Sequence, residues 1–227
     1  MAANPRAFVL RHTRLRPVPG AEHLRLHLAD EVLPLWRATQ VETHDDDAPI
    51  PYWAFAWAGG LALARYLREH PDRVAGRRVF DIASGSGLCS LAALDAGADK
   101  AAAADIDPFS WAAIELNARA AGRRVALVRR DVLDEDPPDA DVVLAGDTWY
   151  ETGFAARLWP WLRRCRATGL EVLVGDPGRA YLPRHGLTEL AAYEVRTTTE
   201  LEDSAQKTAR VFELAWAPPR PAPTARA

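Results

Sequence analysis

From Arg77 onward, short apolar runs alternate with stretches of helical spacing. The runs are Val79-Phe80-Asp81-Ile82, Ala101 to Ile106, Val125 to Val128, Val142 to Ala145 and Val172-Leu173-Val174. Helical patterns lie between them, at about Leu88 to Ala96, Pro108 to Ala121 and Phe154 to Arg166. Strands separated by helices in this way predict a parallel sheet with crossover helices. After Gly175 the pattern changes. Leu187 to Thr197 and Ala209 to Trp216 read as two strands with no helix between them, which predicts a hairpin and at least one antiparallel strand.

The first part of the chain is less regular. Leu24, Leu28, Val32, Leu35 and Trp36 keep helical spacing over 22–37, interrupted by Pro34. Phe8-Val9-Leu10 reads as strand-like, with Pro5, Pro17 and Pro19 around it. Glu42 to Pro51, with Asp45-Asp46-Asp47, reads as a solvated acidic loop rather than a cation site, and a helix is expected over Leu61 to Glu69. The expected organisation is an N-terminal extension and entry helix over 1–74, a core over 75–216 and a Pro-rich, disordered tail over 217–227.

Length and charge narrow the function. The 227 residues fit one large domain or two small ones, and 28 basic against 31 acidic side chains give a net charge of −3. Such a balance makes no field to hold a nucleic-acid backbone, so no nucleic-acid partner is expected. The two cysteines, Cys89 and Cys165, form neither a disulfide framework nor a zinc site, which points to a reducing, cytoplasmic setting and no metal. No apolar run is long enough to span a membrane. The first twenty residues carry Arg6, Arg11, Arg14 and Arg16 and no acid, as an organelle transit peptide would, but they lack Ser and are broken by proline. Mitochondrial targeting is therefore the lesser reading.

Candidate chemistry begins at the first strand-to-helix turn, Asp81-Ile82-Ala83-Ser84-Gly85-Ser86-Gly87. Small residues there let a ligand approach the backbone. A dinucleotide fingerprint would need a third glycine where Ser90 stands, and the Gly-Lys-Ser/Thr of a P-loop is absent. Asp81, Gly85, Ser86 and Gly87 are the candidates in this turn. Asp105, 24 residues beyond Asp81, ends the second strand where a carboxylate can take ribose hydroxyls. Asp107 is its rival, but followed by Pro108 it reads as a helix N-cap. Asp131-Val132 follows the third strand, where a carboxylate can accept an adenine amino hydrogen and an apolar side chain can cover the ring; an ordinary loop aspartate is the competing reading.

Together these features resemble class I S-adenosylmethionine-dependent methyltransferases over about 50–216. The resemblance implies that cofactor. It also implies an α/β fold, a Rossmann-like seven-stranded, mostly parallel sheet with one antiparallel strand, helices on both faces and an N-terminal helical or extended cover. Ala83 departs from the pattern, since many members carry Gly there, and only a slight change in the loop is expected. Gly146-Asp147-Thr148-Trp149-Tyr150-Glu151 is similar to the Asp-x-x-Tyr post-strand motif of a branch of protein-lysine methyltransferases, which implies that Gly146 touches the cofactor. The Asn/Asp-Pro-Pro-Tyr/Phe motif of amide and adenine methylases is missing. Trp57 to Ala64 looks like the branch's entry helix, with Trp57 beside the cofactor. Pro51 to Trp57, Gly175 to Pro183 and Thr199 to Asp203 resemble the lysine methyltransferases of the electron-transfer flavoprotein β subunit and their bacterial relatives. The partner implied is that β subunit. Another protein or a small amine as acceptor, or a non-catalytic cofactor-binding module, are the other readings.

The chemistry sets roles within that resemblance. Methyl transfer from a sulfonium is an in-line displacement, so positioning and water exclusion are the protein's main work. Deprotonating a lysine of pKa about 10.4 costs roughly 4 to 5 kcal/mol at neutral pH. Asp147, with an ordinary pKa of about 3.9, is too weak a base, and its charge favours the ammonium. The expected roles are therefore lysine capture for Asp147, with the proton leaving to water, and hydrogen bonding or channel walling for Tyr150. Beside these stand two structural readings, Asp147 capping the next helix and Tyr150 packing in its first turn. Of the eight Trp, Trp53, Trp57 and Trp149 are expected at the site, and Trp36, Trp111, Trp159, Trp161 and Trp216 in the core.

Overall fold

The computed structural model describes residues 4–197 and 206–215. Asn4 accepts from the Ala7 backbone N–H and Pro5 takes the first helical position, so Pro5–His12 forms helix α1 rather than the strand expected there. Strands β1 (Arg14–Val18) and β2 (Ala21–Leu28) make an antiparallel hairpin. This overturns the helix expected from residue 22. Leu24 and Leu28 are four apart and satisfy both periods, but Leu24, Leu26 and Leu28 are all buried, the alternation of a strand. Helix α2 (Val32–Thr43) starts only after Glu31 and keeps Pro34 in its first turn, where no helical hydrogen bond is lost.

Helix α3 (Ala58–Glu69) leads into the alternating region. There β3 (Arg78–Ile82), α4 (Leu88–Asp95), β4 (Lys100–Ala104), α5 (Pro108–Ala120), β5 (Val125–Val128), β6 (Val142–Gly146), α6 (Thr152–Ala167), β7 (Glu171–Asp176), β8 (Leu187–Arg196) and β9 (Gln206–Leu214) follow in turn. The seven-stranded sheet has the order β5-β4-β3-β6-β7-β9-β8, and β9 alone runs against its neighbours. The mostly parallel sheet with one reversed strand is as expected. Trp216, the Thr199 to Asp203 segment and the 217–227 tail lie outside the described residues.

Both faces of the sheet are covered. Val142 and Leu144 of β6 join one apolar cluster with Leu63 and Leu67 of α3 and Leu91 of α4. Val143 and Ala145, pointing the other way, join Leu158, Trp161 and Leu162 of α6. A third cluster fastens the N-terminal segment to α5, with Phe8 4.9 Å and Trp53 6.1 Å, centroid to centroid, from Phe109. The first turn of α3 meets the backbone of β7 directly: a Cβ on Gly59 would lie 2.2 Å from the Gly175 carbonyl oxygen. Only glycine permits this, and it brings Trp57 and Gly59 to the carboxyl ends of β6 and β7. No helix among the described residues is long and apolar enough to cross a membrane.

Candidate functional site

At the carboxyl ends of β3, β4 and β6, where strand order reverses from β4 to β6, lies a cavity of about 630 Å³. Ala83, Gly85 and Gly87 all have left-handed φ, of 50°, 54° and 81°. Ala83 thus adopts a conformation that glycine takes freely and that costs alanine about 1 to 2 kcal/mol. Ser84, Gly85 and Ser86 line the cavity; Asp81 and Gly87 stand behind the turn. The Asp81 carboxylate accepts from Ser84 Oγ at 2.5 Å, Ser90 N at 3.0 Å and Ser90 Oγ at 2.9 Å, so it shapes the loop. Burial, working against these bonds, pushes its carboxyl up to about 6. Gly87 caps α4, and a Cβ there would lie 3.3 Å from Ile114 of α5.

Asp105 faces the cavity. Its Oδ2 accepts from Gly85 N at 2.8 Å and its Oδ1 from Asp107 N at 3.0 Å, while burial raises its carboxyl. Asp107 caps α5 through Phe109 N at 2.8 Å, as expected, although it also borders the cavity. Trp111 is not plain core. It is half-buried and donates from Nε1 to the Asp105 carbonyl at 2.8 Å. Asn117 Nδ2 donates to the Ser86 carbonyl at 2.8 Å. Asp131 is an exposed rim residue that accepts from Leu133 N at 2.9 Å and Arg157 at 2.7 Å, and Val132 is a buried lining residue beside it.

The other end of the cavity forms where β6 stops. Gly146 lets backbones meet, since a Cβ would lie 2.9 Å from Cys89 Sγ and 3.1 Å from Gly60 Cα. Asp147 has a left-handed φ of 58°, which aspartate tolerates better than most residues, and its N–H donates to the Gly175 carbonyl at 2.9 Å. Its Oδ2 accepts from Gly59 N, and its Oδ1 from Arg179 Nε at 2.8 Å. The helix-capping reading for Asp147 fails: Glu151 caps α6, accepting from Gly153 N at 2.7 Å and Phe154 N at 2.8 Å. Tyr150 lines the cavity with its ring 4.8 Å from that of Tyr52, and it also stacks on Phe154 of the first turn at 6.1 Å. Burial raises its phenol, so it is neutral at ordinary pH.

Of the three tryptophans expected here, only Trp57 lines the cavity. Trp53 is fully buried against Phe8 and Phe109, and Trp149 is fully buried beside Trp159. A Trp near a motif in sequence can point into either layer, and here burial of a large apolar surface decided. Arg179 was missed. It borders the cavity, pairs with Asp147 and lies over the Trp57 ring at 5.7 Å. The available signal was the turn sequence Asp176-Pro177-Gly178 ahead of it: Asp176 Oδ1 accepts from Gly178 N at 2.6 Å and Arg179 N at 2.7 Å.

A family model described as Ribosomal protein L11 methyltransferase (PrmA) matches residues 64–146. The electron transfer flavoprotein beta subunit lysine methyltransferase of Xenopus laevis is 34% identical over 209 residues, 89% of this chain and 83% of that protein. The protein of the same name from Rattus norvegicus is 36% identical over 170 residues, 72% of this chain and 67% of that one. In fold, a putative RNA methyltransferase from Pyrococcus horikoshii superposes with a TM-score of 0.54 at 14% identity, over 74% of this chain and 88% of that one. Because the first relative is 34% identical over 89% of this chain and the second 36% identical over 72% of it, the chain belongs to the electron transfer flavoprotein beta subunit lysine methyltransferase family of class I S-adenosylmethionine-dependent methyltransferases.

Proposed function

We propose that the protein transfers a methyl group from S-adenosylmethionine to a lysine of the electron transfer flavoprotein β subunit. The observation that carries this reading is convergence. One cavity is lined at one end by Ser84 to Ser86, Asp105 and Val132, and at the other by Trp57, Gly146, Asp147 and Tyr150. The first end suits the cofactor. Asp105 faces the cavity with its carboxylate oriented by the Gly85 and Asp107 backbone N–H groups, and a carboxylate held in this way can accept from a ribose hydroxyl. Ile106 and Val132 present apolar surface for a purine, with Asp131 at the rim for its amino group. Bound there, the cofactor supplies an electrophilic sulfonium methyl.

At the second end the protein's task is to place a lysine nitrogen and keep water away. Asp147, fixed through Gly59 and Arg179, aligns the acceptor. Tyr150 and Tyr52, neutral and packed ring to ring, wall its approach. The aromatic face of Trp57 favours cationic groups nearby by about 0.5 to 2 kcal/mol. The acceptor proton leaves to solvent. We take the reaction to be cytoplasmic, in keeping with two free, buried thiols.

The test is incubation with labelled S-adenosylmethionine and the purified β subunit, followed by peptide mapping by mass spectrometry. Label is expected on lysine of that subunit. Methylated lysines found only in other proteins would refute the acceptor assignment, and label on no lysine would refute lysine methylation itself.

A further inference from the structure

We propose that Arg179 is a positioning residue of the acceptor end, whose guanidinium balances the charge of Asp147 so that the lysine is received as the neutral amine. The proposal rests on the lysine methyltransferase reading and adds a requirement to it. An unbalanced carboxylate beside an amine stabilises the ammonium, which has no lone pair with which to attack. The Asp147 side chain is 5% exposed, so solvent screens its charge little.

Arg179 is held in place from three directions. Its Nε and a terminal nitrogen stand 2.8 and 2.7 Å from Asp147 Oδ1. Its backbone N–H donates to Asp176 Oδ1 at 2.7 Å. Its guanidinium carbon lies 5.7 Å from the Trp57 ring centroid. A guanidinium never deprotonates in a protein, and one anchored this way stays when an amine arrives. A resident cation beside the acceptor position disfavours a second positive charge there. Arg179 itself transfers nothing; the amine gives its proton to solvent before it attacks.

Several titratable groups of the described residues packed near the pair are acidic or neutral. Asp176, at the end of β7, has its carboxyl pushed up to about 6 by burial, with Asp147 adding to the effect. Cys89 of α4 is a buried thiol raised well above its ordinary value. Tyr52 and Tyr150 are raised by burial, and Glu151, in front of α6, is spent on capping. These groups add negative charge or none, and Arg179 is the cation that the described residues set directly against Asp147.

The experiment is the pH dependence of kcat for methyl transfer to the β subunit by wild type, R179Q and R179K, with folding and S-adenosylhomocysteine binding checked by thermal melt and calorimetry. In R179Q the acid limb is expected to move to higher pH by about one unit or more, a tenfold loss near pH 7 that recovers at high pH. R179K keeps the charge and is expected to leave the limb in place with a lower plateau. A purely structural role would lower the rate at every pH without moving the limb. Coincident limbs for wild type and R179Q, or equal displacement in R179K, overturn the proposal. Should R179Q not fold, D147N reads the same balance from the other side. Its residual activity should show the limb displaced to lower pH, and an unmoved limb overturns the proposal. A β subunit that takes no label on lysine overturns only the acceptor assignment, and the profile is then taken on the lysine protein that does take label. Label on no lysine overturns both.

Discussion

The two ends of the cavity are built differently. At the end formed by the turns after β3, β4 and β5, each functional group has at least one orienting partner close in sequence: Asp81 has Ser84 and Ser90, Asp105 has Asp107 and Asp131 has Leu133. Gly85 and Arg157 add one longer-range bond each, to Asp105 and Asp131 respectively. At the acceptor end, Asp147 is oriented by Gly59, 88 residues away, and by Arg179, 32 residues away. The first end draws much of its geometry from short segments. The second exists only when α3, β6 and the loop after β7 are packed together, so chemistry at the two ends should be separable by mutation.

Asp147→Ala tests this most severely. Turnover is expected to fall about 100-fold or more, as misplacement of a reactant does, while S-adenosylhomocysteine affinity by calorimetry stays within about threefold. Asp105→Ala should do the reverse, weakening S-adenosylhomocysteine by about 10- to 100-fold through loss of a charged hydrogen bond. Equal losses of affinity in both variants would abolish the distinction. Gly59→Ala strikes the junction of α3 with β7, where its Cβ would meet the Gly175 carbonyl oxygen and, at 2.9 Å, Asp147 N. It should destabilise by about 1 to 3 kcal/mol in a thermal melt and misplace Asp147, with smaller loss of cofactor affinity.

Within the first end, Asp81 and Ala83 report on the loop. Asp81 titrates at about 6 in the folded protein, above the ordinary value of 3.8, so the folded state takes up the proton first. Lowering pH from 7 to 4 should therefore stabilise wild type relative to Asp81→Asn. A Tm difference between the two that stays constant over that range would contradict the shift. Ala83→Gly removes a side chain from a left-handed residue, and a gain of up to about 1 kcal/mol in chemical denaturation is expected, reduced by the freedom glycine gains when unfolded.

The contrast also explains what was legible in the sequence. Runs such as Val142 to Ala145 are apolar on both faces because helices cover both faces, and the parallel strands stood out for that reason. The segment from Leu24 to Leu28 did not, because a spacing of four suits a helix and a strand alike; the omitted clue was Leu26. Asp105 and the glycine turn were legible because each stands at the end of a strand and is marked by turn or cap residues next to it, Gly85 and Gly87 in the turn and Asp107-Pro108 beside Asp105. Trp53 and Trp149 were misplaced, and Arg179 was passed over, since neither the layer a side chain enters nor a pairing across 32 residues leaves a periodic trace.

By itself, then, the sequence determined the sheet, its reversed last strand and the position of the glycine turn, which follow from hydrophobic period, helix caps and turn residues acting within short segments. Tertiary structure alone decided that Asp147 would be a buried carboxylate paired with a guanidinium. That outcome depends on how closely Gly59 and Gly175 let two backbones approach, a distance set by packing of elements that are remote in the chain.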